Sequence, residues 1–193
     1  MQHLVIHNIA DLNNHRDLVN EMWQAYEEAF PYEERRKRES VLSLLSEEAG
    51  GFYILLFKAP DEDGLAAFAM LHRLETFEYI EYLCVPHHKR SGGWGAKALK
   101  HIFDHVTKPI VLEAEPPGAN EWSDRRIDFY RRNGFTLIDR TYYQPAYHED
   151  TEAVELRLMV RGQHDNPEVF ARELYRHVYR LHPSHILFYH TEL

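Results

Sequence analysis

The sequence predicts a mixed α/β fold, on three observations. The chain has 193 residues, enough for one domain with a sizeable core. Hydrophobic residues make up 44% and aromatic residues 13%, a composition typical of an ordered globular protein. Segments of strand and helix periodicity follow one another in the order β α (α) β β β α β α β β α. This order differs from a repeated βαβ winding, so a mixed central sheet is expected.

The first elements are a strand, a helix and a charged joint. Residues 4–9 are apolar enough for a strand. Leu18, Met22, Tyr26 and Phe30 then repeat at helical spacing until Pro31 ends the pattern. The following segment PYEERRKRES is highly charged; it could begin a second short helix through residues 41–45, but a solvated face is the favoured interpretation.

The middle of the chain predicts a hairpin and a further strand. Two apolar runs flank the turn signal Asp61–Gly64, which indicates a β-hairpin. The segment YIEYLCV, residues 79–85, is a strand ended by Pro86. An amphipathic helix follows over about residues 93–106.

The remaining elements complete the predicted order. Residues 109–115, PIVLEAE, are a short apolar strand. A helix follows, with Ser123 as a plausible N-cap and Asn133-Gly134 as a left-handed end. Two strands then fit residues 136–144 and 153–160.

A C-terminal helix is predicted to begin at Asn166-Pro167. We expect one main domain at residues 1–162 and a helical extension at residues 163–193. The extension either packs back on the domain or contacts a partner chain, as in a homodimer.

Composition excludes several classes of function. The net charge of −9 disfavours binding to nucleic acid and suits a cationic acceptor. No apolar run is long enough to span a membrane, and the N-terminus lacks the features of a signal peptide, so we expect a cytoplasmic protein with no membrane partner. The single cysteine, Cys84, lies in an apolar strand and is expected to serve packing. No HExxH or similar spacing indicates a metal site.

Three glycines stand within four positions in RSGGWGA, residues 90–96, at the start of the predicted helix; we call this segment the entrance loop. Glycines at a helix entrance allow a tight bend, and the first N–H groups of the helix attract an anion. A nucleotide-triphosphate loop is excluded because Gly95 is followed by Ala96-Lys97-Ala98, in which the lysine is misplaced and the hydroxyl is missing. A dinucleotide fingerprint is excluded because the spacing differs and the segment follows the fourth strand.

The pattern that remains, RxxGxG after the strand end Val85-Pro86, resembles the GCN5-related N-acetyltransferase (GNAT) family, whose motif is [QR]xxGx[GA]. The later segment SDRRIDFYRRNGF is similar to the family's helix pattern NxxAIxFYxxxGF, with Ser123 for asparagine and Arg126 for alanine. The segments AFPYEERR and YYQPAY resemble small bacterial members. The resemblance covers about residues 4–160. It implies a mostly antiparallel central sheet flanked by helices.

The resemblance also implies acetyl-CoA as cosubstrate, without a metal. Its pyrophosphate would bind main-chain N–H groups of the entrance loop, and its pantetheine arm would pair with the end of the fourth strand. The residues implied in cofactor binding are Leu83, Cys84, Val85, Arg90, Ser91, Gly92, Gly93, Trp94, Gly95, Ala96, Ser123 and Tyr130.

Two residues are the candidates for catalysis. Tyr130 matches the family's tyrosine near the CoA sulfur and would act as general acid. Glu81 is the candidate general base, because strand alternation places it on the face of Leu83 and Val85; Glu75, Glu78 or a water chain are alternatives. The implied reaction is direct acetyl transfer to the primary amine of a small molecule or peptide in a ternary complex. The alternative is an acyl-CoA-binding sensor without turnover.

Overall fold

The computed structural model describes residues 2–47, 50–60, 64–163 and 166–181. They fall into two compact units, the first within residues 1–73 and 80–107 and the second within residues 74–79 and 108–193. The elements of the first part of the chain are β1 (Gln2–Ile6), α1 (Ile9–Asn14), α2 (Arg16–Ala29), α3 (Arg38–Leu45), β2 (Phe52–Lys58), β3 (Leu65–Arg73), β4 (Glu78–Cys84) and α4 (Trp94–His105). The remaining elements are β5 (Ile110–Ala114), α5 (Ser123–Arg132), β6 (Thr136–Leu137), β7 (Tyr142–Gln144), β8 (Val154–Arg161), α6 (Glu168–Glu173) and a π-helical turn (Leu174–Val178).

Antiparallel pairing dominates both units. In the first, the strand order is β1-β2-β3-β4, and β2 pairs antiparallel with β1 and β3. The predicted hairpin is therefore confirmed, although residues 61–63 of its turn lie outside the described residues. In the second unit, β8 pairs antiparallel with β5, β6 and β7. Together with the flanking helices, these pairings agree with the predicted mixed, mostly antiparallel fold.

Each unit has its own apolar core. In the first, α2 and α3 pack on one face of β2, β3 and β4, because β-strand alternation places every second side chain on that face. The largest side chains of this core include Met22, Tyr26, Leu56, Phe68 and Tyr82. In the second, α6 and the π-helical turn pack on strand residues; the core includes Phe77, Tyr79, Tyr142, Phe170, Leu174 and Tyr175. The C-terminal helical segment thus packs back within its own unit.

Three local expectations were wrong. The first strand ends at Ile6, and Ile9 begins α1 instead, because the side chain of Asn8 accepts a hydrogen bond from the Asp11 N–H and caps a new helix. Ser123 is not an N-cap: it is the first helical residue, and Asn120 Oδ1 accepts from its N–H at 3.0 Å. Residues 136–144 form two short strands, β6 and β7, with an irregular segment between them.

The charged joint is more ordered than expected for a solvated face. Tyr32–Glu34 form a 3-10 turn and Arg38–Leu45 form α3. Between them, the Arg36 side chain is only 11% exposed. This segment contributes to the candidate site described next.

Candidate functional site

The entrance loop bends through two left-handed residues. Ser91 has φ 66° and Gly93 has φ 72°, and α4 begins directly after Gly93. Since glycine has no side chain to cap a helix, the first N–H groups of α4 receive no side-chain bond from the N-cap position. A Cβ atom built on Gly93 would have nothing within 4 Å. The loop therefore exposes main-chain N–H groups at an open helix entrance, an arrangement that fits an anion.

The rest of the entrance loop packs against itself. A Cβ atom on Gly92 would lie 2.9 Å from Nε1 of Trp94, so this position has little room for a side chain. Trp94 is half-buried, and the ammonium of Lys97 lies 3.9 Å from the centroid of its ring. Gly95 and Ala96 stand in the first turn of α4 and are half-buried.

The sequence around the entrance loop is basic, although the protein as a whole is acidic. Four Lys and Arg residues, but no Asp or Glu, lie between Glu81 and Asp104 in the sequence. Arg90 is exposed, and its Nε donates to the carbonyl of Val85 at 3.4 Å. The arginine implied in phosphate binding is thus tied to the end of the fourth strand. Local positive charge favours an anionic ligand here.

The end of β4 alternates as the sequence predicts. Glu81, Leu83 and Val85 are half-buried, whereas Tyr82 and Cys84 are buried in the core of the first unit. Burial raises the pKa of the Cys84 thiol to about 12, so this residue is a neutral packing group. The side chain of Glu81 is only 1% exposed although the residue as a whole is half-buried. Its exposure therefore comes from the main chain, which is accessible at this point of the strand.

The carboxylate of Glu81 has partners on both oxygens. Nε of Arg36 lies 2.7 Å from Oε1, and Nε2 of His72 lies 2.8 Å from Oε2. The His72 side chain is 3% exposed. Glu81 is thus a buried ion-paired group rather than a carboxylate presented to solvent. The two alternative candidates for the general base are in different environments: Glu75 is exposed, and Glu78 is buried.

Two tyrosines fix the segment that carries Arg36. The hydroxyl of Tyr26 donates to the Arg36 carbonyl at 3.2 Å, and the Arg36 N–H donates to the hydroxyl of Tyr82 at 3.1 Å. The Tyr82 hydroxyl in turn donates to the carbonyl of Glu34 at 3.1 Å. Burial raises the pKa of Tyr26 far above its ordinary value, so its hydroxyl remains a donor. Arg36 and His72 were not predicted from the sequence, because no local pattern around either residue indicates that its side chain pairs with Glu81.

The other predicted residues lie in the second unit. Tyr130 is 8% exposed on α5, and its ring centroid lies 5.3 Å from that of Phe129 and 5.6 Å from that of Phe135. Ser123 is buried, and its hydroxyl donates to the Asn120 carbonyl at 2.8 Å. Gly134, with φ 88°, ends the turn after α5 as predicted.

Two kinds of feature are absent from the described residues. No helix among them has the length and apolarity needed to cross a membrane. No group of three or more His, Cys, Asp or Glu side chains in residues 2–47, 50–60, 64–163 and 166–181 is arranged to hold a metal ion.

A mostly antiparallel fold with an open helix entrance after an accessible strand end is the arrangement that the resemblance to an acyltransferase family implies. The sequence profile of the Acetyltransferase (GNAT) family matches residues 16–135, more than half of the chain. The chain therefore belongs to the GNAT family, and the resemblance drawn from the entrance loop is confirmed.

Solved structures agree with this assignment. A protein of Bacteroides thetaiotaomicron assigned to the GNAT family is 31% identical, with a TM-score of 0.82 over 94% of this chain and 100% of that one. It confirms the predicted fold class. The ribosomal-protein-S18-alanine N-acetyltransferase of Escherichia coli is 18% identical, with a TM-score of 0.53 over 86% of this chain and 98% of that chain. A Bacillus subtilis acetyltransferase solved in complex with CoA is 12% identical, with a TM-score of 0.52 over 75% and 93% of the two chains. These two show the fold alone. No protein of curated function matches the sequence.

Proposed function

We propose that this protein is an N-acetyltransferase that moves the acetyl group of acetyl-CoA directly to a primary amine in a ternary complex. The observation that carries the proposal is the entrance loop, with Ser91 and Gly93 in left-handed conformation before an open helix entrance. It supports binding of a pyrophosphate through main-chain N–H groups of residues 90–96. The basic stretch around the loop supports the same ligand. No metal takes part in the proposed reaction.

Pairing of β4 with the amide-bearing pantetheine arm of acetyl-CoA is supported by two features. The main chain at Glu81 is accessible, and Leu83 and Val85 are half-buried. A main-chain N–H there would stabilise the charge that develops on a thioester oxygen, an effect of about 3 kcal/mol for one donor. When bound, acetyl-CoA supplies the activated acyl group. Cys84 contributes through its main chain, because its thiol is buried and neutral.

We assign proton transfer to two groups. Tyr130 is the proposed general acid, because its hydroxyl carries a proton that it can donate to a thiolate. An alkyl ammonium, with an ordinary pKa near 10.4, must lose a proton before it attacks. We propose the Glu81–His72 pair as the acceptor of that proton, with Arg36 stabilising the carboxylate. The buried contacts of Glu81 mean that a water molecule would bring the proton to this pair.

Calorimetry and an amine screen test the proposal. We expect acetyl-CoA to bind the purified protein, and a screen of amines to identify acceptors by release of CoA. In Tyr130→Phe, kcat should fall about 100-fold, since general acids contribute at least that factor. The affinity for acetyl-CoA should change little. Tyr32→Phe is the matched control, because Tyr32 is 43% exposed and is not among the residues proposed to bind acetyl-CoA or to transfer protons. Absence of acetyl-CoA binding, together with absence of thermal stabilisation by CoA, would contradict the proposal.

The second candidate is an acyl-CoA-binding sensor without turnover. The entrance loop favours it as much as it favours an enzyme, since both must hold the coenzyme. Binding of acetyl-CoA with no CoA release for any amine in the screen would support the sensor.

A homodimer and a cytoplasmic location stay predictions, to be checked by light scattering and by cell fractionation. Nucleic acid and membrane remain outside the proposed partners.

A further inference from the structure

A tryptophan and a lysine stand together at the start of α4. The ammonium of Lys97 lies 3.9 Å from the ring centroid of Trp94, the first residue of the helix. Long side chains on a helix lean toward its N-terminal end, so the charge of Lys97 is carried back to the helix entrance. Lys97 is exposed, and Trp94 is half-buried. We call these two residues the Trp–Lys pair.

The ring of Trp94 packs on the entrance loop. A Cβ atom on Gly92 would lie 2.9 Å from Nε1 and 3.0 Å from Cδ1 of this ring. The edge of the indole therefore lies close to the main chain of Gly92. Since the same ring carries the Lys97 ammonium over its face, the charge is held beside the loop that is proposed to bind the coenzyme.

Lys97 has an unfavourable position for a cation in the ligand-free protein. The N-terminal end of a helix carries partial positive charge, which favours acidic side chains there and basic ones at the other end. The first turn of α4 contains no acidic residue, and in the described part of the chain no carboxylate pairs with Lys97. The Lys97 N–H donates to the Gly93 carbonyl at 3.1 Å, and the helical N–H groups before it have no partner within the helix.

Lys100, three residues further along α4, has a different environment. Its ammonium lies 2.8 and 3.1 Å from the two carboxylate oxygens of Asp104. The charge of Lys100 is therefore balanced by a protein group, whereas the charge of Lys97 lies on an aromatic ring. The attraction between a cation and a ring is small at an exposed site, and a phosphate oxygen forms a stronger, charge-assisted hydrogen bond with an ammonium group. An anionic ligand at the helix entrance would thus stabilise Lys97 where it stands.

We propose that the Lys97 ammonium binds a phosphate group of acetyl-CoA, and that Trp94 is the positioning residue that holds the ammonium at the helix entrance. Main-chain N–H groups contribute partial charges, and a lysine adds a full positive charge that suits phosphate. The Trp–Lys pair thereby favours the phosphorylated coenzyme over thioesters of pantetheine, which carry no phosphate. This inference rests on the proposed function and adds a side chain to the main-chain groups of residues 90–96.

Calorimetric titration with CoA compares Lys97→Met with Lys100→Met. Methionine keeps an apolar chain on the Trp94 ring and removes the charge. We expect Lys97→Met to weaken CoA binding by about tenfold, the effect of losing one charge-assisted hydrogen bond. Lys100→Met is the matched control and should stay near the wild-type affinity, because Asp104 balances Lys100. Lys97→Arg, which keeps the charge, should retain most of the affinity.

Salt dependence is a measurement that a purely structural Lys97 would not change. The affinity of the wild-type protein for CoA should fall as sodium chloride is raised, because salt screens the attraction between charges. In Lys97→Met the fall should be shallower, since one of these attractions is missing. A structural lysine would lower the melting temperature of the variant and leave both the affinity and its salt dependence unchanged.

A double-mutant cycle tests the role of Trp94. We expect Trp94→Leu to weaken CoA binding in the wild-type background and to have little further effect in Lys97→Met, because residues that act through one another are not additive. Additive losses would overturn the positioning role of Trp94.

Three outcomes overturn the role of Lys97: an unchanged affinity in Lys97→Met, an equal loss in Lys100→Met, or the same salt dependence in the wild type and Lys97→Met. Dephospho-CoA, which lacks the 3′-phosphate, identifies the phosphate that is bound. A loss confined to CoA assigns the 3′-phosphate, and an equal loss with both ligands assigns the diphosphate; either result upholds the inference.

Failure of this inference is distinguishable from failure of the proposed function. Acetylation of an amine by a protein whose CoA affinity is insensitive to Lys97 would overturn the inference and keep the enzyme. CoA binding that depends on Lys97, without acetylation of any amine in the screen, would uphold the inference and contradict the enzyme.

Discussion

At the scale of single residues, the left-handed glycines allow a matched comparison. Gly93 in the entrance loop has φ 72° and Gly118 has φ 74°, and a Cβ atom on either would meet nothing within 4 Å. Replacing each by alanine should cost about 1 kcal/mol of stability, because a side chain is strained at such φ values. The two positions differ in one respect: bound acetyl-CoA is expected beside Gly93 and not beside Gly118.

We predict that Gly93→Ala weakens acetyl-CoA binding by about tenfold or more, whereas Gly118→Ala leaves it near the wild-type value. The added methyl group has no neighbour in the protein, so any clash must come from the ligand. Isothermal calorimetry measures the affinity, and thermal unfolding reports the shared cost in stability. Equal affinities in the two variants would argue against an anion at the entrance loop.

Glu81 offers a second residue-scale prediction. Its ion pair with Arg36 is buried, with the two side chains 1% and 11% exposed. Glu81→Gln leaves the guanidinium of Arg36 without its charge partner in a buried site, which should cost about 3 kcal/mol. Glu27→Gln is the control, since the Glu27–Arg38 pair has the same kind of groups at 2.8 Å but side chains that are nearly half exposed. It should cost less than about 1 kcal/mol.

Urea denaturation measures both losses. If the two variants lose equal stability, the pairing of Glu81 is not the buried interaction described above. The measurement also matters for catalysis, because kinetic effects of Glu81→Gln are interpretable only at a temperature where the variant is folded.

At the scale of elements, the C-terminal segment belongs to the core of the second unit. Leu174 is fully buried there, whereas Val169, five residues earlier, is 37% exposed. We predict that Leu174→Ala lowers the free energy of unfolding by about 3 kcal/mol, and that Val169→Ala changes it by less than about 1 kcal/mol. Urea denaturation followed by circular dichroism checks both values. A small loss at Leu174 would mean that this segment contributes little to the core.

Strand β1 and helix α4 meet at three histidines, and this contact predicts a pH dependence. The rings of His3 and His101 are 4.0 Å apart between centroids, and those of His101 and His105 are 4.2 Å apart. Burial, followed by the charges of His3 and His105, lowers the pKa of His101 from 6.5 to about 4, against the opposing effect of Asp104. Between these two values the unfolded chain binds more protons at this residue than the folded chain does.

The contribution of His101 to stability is therefore fully present above about pH 6.5 and declines as the pH falls toward 4. We expect the free energy of unfolding to decrease over this range in the wild-type protein, and to decrease less in His101→Gln. Other groups titrate in the same range in both proteins, so the difference between the two urea titrations isolates His101. Parallel pH curves would contradict this assignment.

Helices and strands could be predicted from the sequence where one hydrophobic periodicity, helical or alternating, extends over the whole element. The strand alternation at residues 81–85 and the helical patterns of α2 and α4 are local, and the structure follows them. Helix α1 was missed because its six residues bury no side chain completely, although Asn8 and Asp11 carry a capping signal. Sequence alone could not show that Asn120, and not Ser123, provides a side-chain acceptor at the start of α5, since both are good cap residues three positions apart. The pairing of Glu81 with Arg36, 45 residues away, depends on tertiary structure alone.

At the scale of the whole molecule, the charge distribution affects both proposed substrates. The net charge is −9, while the basic stretch around the entrance loop contains four cations and no acid. Long-range attraction should therefore favour a cationic acceptor, and local attraction should favour an anionic coenzyme. Both interactions weaken as salt shortens the screening length from about 30 Å at about 0.01 M to about 3 Å at about 1 M.

We predict that raising sodium chloride through this range increases KM for 1,4-diaminobutane several-fold. An aromatic amine that is neutral at the assay pH, such as 4-methoxyaniline, should show a smaller change at saturating acetyl-CoA. Steady-state kinetics at the two salt concentrations gives both values. An equal response of the two amines would show that the net charge has no part in binding the acceptor.

The fold class could be predicted because the order of strands and helices follows from the hydrophobic periodicity of successive segments of the sequence. The left-handed bend of the entrance loop before α4 could be predicted, since it is built from consecutive residues. The hydrogen bonds from Tyr79 and Tyr179 to Glu113 could not be predicted, because these residues are separated by up to 100 residues. Each of them taken alone is an ordinary strand or helix residue.

Cys84 has a practical consequence for studying the reaction. It is the single cysteine of the chain, and its thiol is buried and protonated at neutral pH. A colorimetric disulfide reagent added to a running reaction would therefore leave the folded protein unlabelled. The colour would come from coenzyme released by turnover, so the enzyme could be present at high concentration without raising the background. Slow acceptors would then be measurable in real time.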